Sequence, residues 1–138
     1  MAIRLILLDV EVRPLDEPGG PYEGHAVLGL QGRRIIGSYI GNESEDELIV
    51  TAKATLAAVQ KSLPISVTFV MRNALKLTPQ FLDTPLMIVI ADLLYGNSKY
   101  ELTGACQCEE AALARGIAQA TLDATNRLVQ FIFAEQAR

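Results

Sequence analysis

Residues 54–63, ATLAAVQKSL, and residues 120–129, ATLDATNRLV, read as two versions of one segment. Ala54, Thr55, Leu56 and Ala58 recur as Ala120, Thr121, Leu122 and Ala124, and Gln60-Lys61 recurs conservatively as Asn126-Arg127. The offset is 66 residues, so two such units span nearly all of the 138-residue chain. Ala-rich helices resemble one another by composition, so the flanking pattern has to repeat as well.

It does. Residues 3–12 (IRLILLDVEV) form a β-rich run, and residues 67–77 (VTFVMRNALKL) occupy the same place one unit later. A hairpin follows in each half. Residues 26–30 and 33–40 flank a turn at Gln31-Gly32, and residues 85–94 and 99–103 flank a turn at Gly96-Asn97. Glycine at each turn supplies the positive φ that tight hairpins require. The links at residues 14–21 and 78–85 also correspond, each carrying proline with acidic or polar residues. Leu63-Pro64 ends the first helix, and the next strand begins without a linker. The expected fold is therefore α+β. Duplicated βββα units (about 1–64 and 65–138) form one domain with pseudo-twofold symmetry, with two helices packed on one face of a mainly antiparallel sheet.

The first helix has a start signal. Ser44 with Glu47 three residues on makes a capping box, inside the acidic run Glu43, Glu45, Asp46, Glu47. Leu48, Ala52, Leu56, Val59 and Leu63 line one helical face. The second helix starts near residues 108–110, with Leu113, Ile117, Ala120, Ala124, Leu128 and Phe131 as its stripe.

A sheet with one wet face alternates apolar and polar residues. Residues 86–91 (LMIVIA) do not alternate, and residues 3–8 have only Arg4 as a polar member. Both strands thus read as covered on both faces. Two helices cover one face, and a second subunit is the economical cover for the other, so a homodimer is expected.

Composition narrows the function classes. The chain is 50% hydrophobic and 20% charged, which argues against disorder. Twelve basic residues face 16 acidic ones, and the only adjacent basic pair is Arg33-Arg34, a poor match to a phosphate backbone. The mean hydropathy of +0.25 raises the question of a membrane. The longest unbroken apolar run, residues 85–91, falls far short of the roughly 18 residues a spanning helix needs. Neither nucleic acid nor membrane is expected as a partner. Asp9 and Glu11 follow the apolar start at once, with no cleavage site, so no signal peptide is expected. Cys106 and Cys108 are too few for a disulfide framework, and a reducing cytoplasmic setting is the default.

Catalytic signals are poor. His25, the single histidine, has no Ser or Cys close in sequence and reads as an edge-strand residue. Metal binding by Cys106 and Cys108 needs two further ligands. Their place before a helix allows either a lowered thiol pKa or a plain, partly buried lead-in. Glu109-Glu110 with Asp123 suit either acid–base work or the helix dipole, and Gly19-Gly20 lies between prolines rather than between a strand and a helix. No catalytic residue, metal or cofactor is assigned. The strand-to-helix loops, residues 37–44 (GSYIGNES) and 103–108 (TGACQC), are the best candidates for a site. There Gly37, Gly41, Asn42, Ser44, Gly104, Ala105 and Gln107 would meet a small carboxylate with helix N-terminal amides. The alternative is ordinary capping loops.

Gly104, Glu109-Glu110 and Ala124-Thr125-Asn126-Arg127-Leu128 form a pattern of glycine loop, acidic entry and Ala-rich helix ending in Ala-x-Asn-Arg-Leu. In this, and in its two βββα units, the chain resembles the C-terminal regulatory, dimerisation domain of 2-isopropylmalate and citramalate synthases. Gly37 and Gly41 fit the first unit's glycine loop loosely, and the family's catalytic barrel is absent. The resemblance covers nearly the whole chain and implies an allosteric, dimerising module that binds a small amino acid, leucine or isoleucine in the family, near the subunit interface, with no synthase activity carried over. Three readings stand beside one another: a regulatory ligand-binding module, a structural module that dimerises and docks on another protein, and an enzyme using His25 or the cysteine pair.

Overall fold

A computed structural model describes residues 4–15, 20–63 and 66–136. Ile3, Gly19, Pro64 and the middle of the 14–21 link lie outside the described residues.

The first unit runs β1 (Ile6–Pro14), β2 (Tyr22–Leu30), β3 (Arg33–Ile40) and α1 (Glu47–Lys61). The second runs β4 (Val67–Leu77), β5 (Leu86–Tyr95), β6 (Ser98–Gln107), a 3-10 turn (Glu110–Ala112) and α2 (Leu113–Gln136). The duplicated βββα order is thus present. The strands form two antiparallel three-stranded sheets, in the order β1-β2-β3 and β4-β5-β6, rather than a single continuous sheet. Both hairpins turn where glycine permits it. Gln31 and Gly32 have φ of 48° and 82°, and Gly96 has φ of 63°.

The repeat extends to details the residues do not advertise. The β1–β2 register slips between Leu7 and Asp9, and the β4–β5 register slips between Met71 and Asn73. Leu8 and Arg72 therefore occupy one bulge in two copies. Gly37 on β3 and Gly104 on β6 also play one part. A Cβ on Gly37 would fall 2.3 Å from the Ala54 carbonyl oxygen and the Ala58 nitrogen. A Cβ on Gly104 would fall 2.1 Å from the Ala120 carbonyl oxygen. Each helix thus sits backbone-to-backbone on its edge strand, which explains the alanines at 54, 58, 120 and 124.

The two units interlock. α1 packs on β2 and β3 of its own unit and reaches β4 of the other, while α2 packs on β5 and β6 and reaches β1. Side-chain amides fix both crossings. Asn126 on α2 accepts the Leu5 N–H at 3.2 Å and donates to the Leu5 carbonyl at 3.4 Å. Gln60, its counterpart on α1, accepts the Phe69 N–H at 2.8 Å and donates to the Val67 carbonyl. This reciprocal exchange is the pseudo-twofold relation in atomic terms.

Between sheets and helices lies one core. Ala26, Leu28 and Leu30 of β2 and Met87, Val89, Ala91 and Leu93 of β5 alternate into it and meet Val59, Ile117, Val129 and Ile132 of the helices. α1 is buried over a wider sector than its expected stripe, with Val50, Thr51, Ala54 and Thr55 also covered. The two threonines satisfy their hydroxyls on the carbonyls one turn back, as Thr121 and Thr125 do on α2.

Candidate functional site

The loop before α1 supplies its own anions. The helix is capped by Asp46, whose carboxylate accepts the Ile49 N–H at 2.9 Å, and not by Ser44. Ser44 is held away from capping: its hydroxyl and its N–H both donate to the Asn42 side-chain oxygen, at 2.6 and 2.9 Å. Glu45 folds back to accept the Asn42 N–H at 3.0 Å and the Tyr39 hydroxyl at 2.8 Å, and pairs with Lys53. Burial pushes the Glu45 carboxyl up, but bonds from Lys53, the Asn42 N–H and Tyr39 outweigh it and hold the group below the ordinary glutamate value. The Glu45 bond holds the Lys53 ammonium above its ordinary value against burial. Gly41 is buried against Val50. Of the first-unit candidates, Gly41, Asn42 and Ser44 therefore share one loop, while Gly37 lies in β3 under the helix.

The second candidate segment is largely strand. β6 extends through Gln107, so Gly104 and Ala105 are ladder residues paired with Val89 and Ile88. The Gly, Ala and Cys that resemble loop composition are there because the helix comes so close. The Ala105 N–H faces away from β5 and donates to Asp123 at 3.0 Å, and Gln107 donates to the Thr84 hydroxyl at 2.6 Å. Gly104, Ala105 and Gln107 thus lie along an edge strand, apart from the α2 N-terminus. Glu110, in the turn before α2, pairs with Lys76 at 2.9 Å.

The cysteines are quiet. Both are half-buried free thiols. Burial, then the Asp123 carboxylate, raises the Cys106 pKa; burial, then Cys106 and Glu110, raises that of Cys108. A raised thiol pKa disfavours the nucleophilic thiolate. Among the described residues, no three His, Cys, Asp or Glu side chains gather as a metal site would require.

One constellation escaped the sequence reading. His25 Nδ1 lies 2.8 Å from the Ser38 hydroxyl, and His25 Nε2 lies 3.2 Å from Glu23, which also takes Arg13 at 3.0 Å. The signal was countable: a two-residue turn at Gln31-Gly32 places His25 opposite Ser38. The bond from Arg13, followed by that from His25, lowers the Glu23 pKa. Acid, imidazole and hydroxyl are the parts of a nucleophilic triad. Here they stand on the flat outer face of a sheet whose central strand, β2, spends its amides on both neighbours. The network reads as a cross-strand polar lock on an exposed sheet face.

The outer sheet faces are the larger anomaly. On the second sheet Leu75 stands opposite Ile88 and Leu77 opposite Leu86, with Ile90 and Leu94 continuing the row. Val70, Leu75, Leu77 and Leu94 are 46, 37, 42 and 39% exposed. The first sheet exposes Ile6, Leu8 and Ile36 on the corresponding side. Set in the apolar face of the second sheet is Asp92, only 8% exposed, between Arg72 at 3.8 Å and Lys99 at 3.7 Å. Its Oδ1 atom has no hydrogen-bond partner.

No protein-family model matches the chain, and no curated protein does. Among the described residues, no helix is long and apolar enough to cross a membrane.

Proposed function

We propose that this chain is a non-catalytic interaction module that pairs with a second copy of itself through the outer face of its second sheet. The observation that carries the reading is the apolar surface of Leu75, Leu77, Leu86, Ile88 and Ile90, bounded at one end by Asp92 with Arg72 and Lys99. An apolar patch of this kind on an isolated chain marks a surface meant to be covered. Asp92 adds a second argument. Its Oδ1 has the Arg72 charge at 3.8 Å but no hydrogen bond, and a donor brought by a facing subunit would supply one. A twofold interface is self-complementary, so one patch serves both copies. The test is Ile88→Lys. Ile88 is half-exposed in the single chain, so the substitution leaves the fold intact by circular dichroism and abolishes pairing. Pairing that survives a charge at the centre of the patch would refute the reading.

The regulatory reading implied by the resemblance has one observation of its own. A cavity of about 300 Å³ lies between the N-terminal ends of α1 and α2, lined by Val12, Tyr22, Leu48, Thr51, Leu113 and Ala114 together with the acids Asp46 and Glu47. Its apolar walls suit a small aliphatic side chain, whereas the loop amides are already taken within the loop: the Asn42 N–H by Glu45, the Ser44 N–H by the Asn42 side chain and the Glu45 N–H by the Asn42 carbonyl. Melting curves with each of the twenty amino acids test it, because a ligand of the native state raises Tm. No shift at millimolar concentration would exclude it.

A further inference from the structure

A second cleft differs from its repeat counterpart in its charge. It holds about 440 Å³ between the edge of β6, the middle of α2 and the residues preceding β1, and its lining includes Arg4, Gln119, Asp123, Asn126, Arg127 and Gln130. We propose that this cleft binds a small oxyanion, a carboxylate or a phosphate group, gripped by the guanidinium groups of Arg4 and Arg127.

The internal repeat supplies the control. The matching cleft of the first unit is lined by Tyr39, Lys53, Leu56, Gln60, Phe69 and Met71. Its one lining cation, Lys53, pairs with Glu45, and Lys61, which does not line the cleft, donates to the Ile36 carbonyl at 2.6 Å. Arg127 is the counterpart of Lys61 in the repeat, yet among the described residues neither Arg127 nor Arg4 has a hydrogen bond or ion pair. Gln119 stands where Lys53 does, and the segment before α2 carries no acid that folds back as Glu45 does. The second cleft therefore keeps two unspent guanidiniums where the first has been neutralised and lined with apolar side chains. Guanidinium presents paired N–H donors that match the two oxygens of a carboxylate or phosphate. Gln119 and Gln130 add neutral amides. Asn126 is already committed to Leu5, which fixes one wall.

Asp123 is the only acid lining the cleft. It accepts the Ala105 N–H and so keeps the free edge of β6 satisfied. Its charge sets a limit on affinity and gives a readout of sign.

The test is isothermal titration of the full chain with inorganic phosphate and, separately, with malonate, against chloride at matched ionic strength. Saturable binding of at least one anion is expected, and which one binds tells phosphate from carboxylate. Arg4→Ala and Arg127→Ala, both at exposed positions, should each weaken it about tenfold. Arg127→Lys, which keeps the charge but loses the fork, should also weaken it. Lys61→Ala, the counterpart change in the first unit, should leave it unchanged, and Asp123→Asn should tighten it. Absence of saturable binding with both anions, or binding indifferent to Arg4→Ala and Arg127→Ala, overturns the proposal.

Discussion

The side chain of Asn126 closes a two-way hydrogen bond on the peptide groups of Leu5, 121 residues away. Its counterpart Gln60 does the same for β4. The two units are therefore joined by more than apolar contact: each helix is keyed to the first strand of the other unit. Asn126→Ala or Gln60→Ala leaves partly buried peptide groups without partners, and each should destabilise the chain by about 1–3 kcal/mol. Urea unfolding reads this. The double substitution should cost close to the sum, because the two keys lie at different crossings.

Gly37→Ala and Gly104→Ala each place a methyl group inside the backbone of a helix. Nothing in a sheet-to-helix backbone contact can rotate away, so the helix must lift. Each substitution should cost about 1–3 kcal/mol or more, comparable to overpacking a core. Gly32→Ala, at an open turn with φ of 82°, should cost about 1 kcal/mol through backbone strain alone.

Glu45 and Lys53 make stability depend on pH in a stated direction. The folded Glu45 carboxyl titrates below its ordinary value of 4.5, so its contribution is present above that pH and fades as pH falls through the folded value. The folded Lys53 ammonium titrates above 10.5, so its contribution is present below that pH and fades as pH rises through the folded value. Glu45→Gln should therefore lower Tm by a few degrees at pH 7, and the difference from the unsubstituted chain should shrink in acid below about pH 4.5.

The cysteine pair should react slowly. Alkylation by iodoacetamide should show a pH midpoint above that of a free cysteine for both thiols, since burial and neighbouring anions disfavour the thiolate. A midpoint near neutrality at either thiol would restore the reading of a helix-activated nucleophile.

The duplication was readable because its marks are local: glycine at two hairpin turns, two Ala-rich helices, and a strand run before each. The cap was harder. Ser44 and Asp46 are both good caps two residues apart, and only the tie between Ser44 and Asn42 decides in favour of Asp46. Residues 103–107 looked like a loop because small residues serve loops and close packing alike. The registers that join Asn126 to Leu5 and Gln60 to Phe69 depend on how one unit seats on the other, which no local pattern encodes. The poor alternation of residues 86–91 marks a strand that is apolar on both faces: within one chain Met87, Val89 and Ala91 are buried, while Leu86, Ile88 and Ile90 remain half-exposed.

The most direct test of the central claim is the mass of the chain in solution by light scattering at micromolar concentration, measured together with Ile88→Lys. Self-pairing predicts a mass twice the 15.0 kDa of one chain, falling to 15.0 kDa in the variant. A mass of 15.0 kDa for the unsubstituted chain would contradict it.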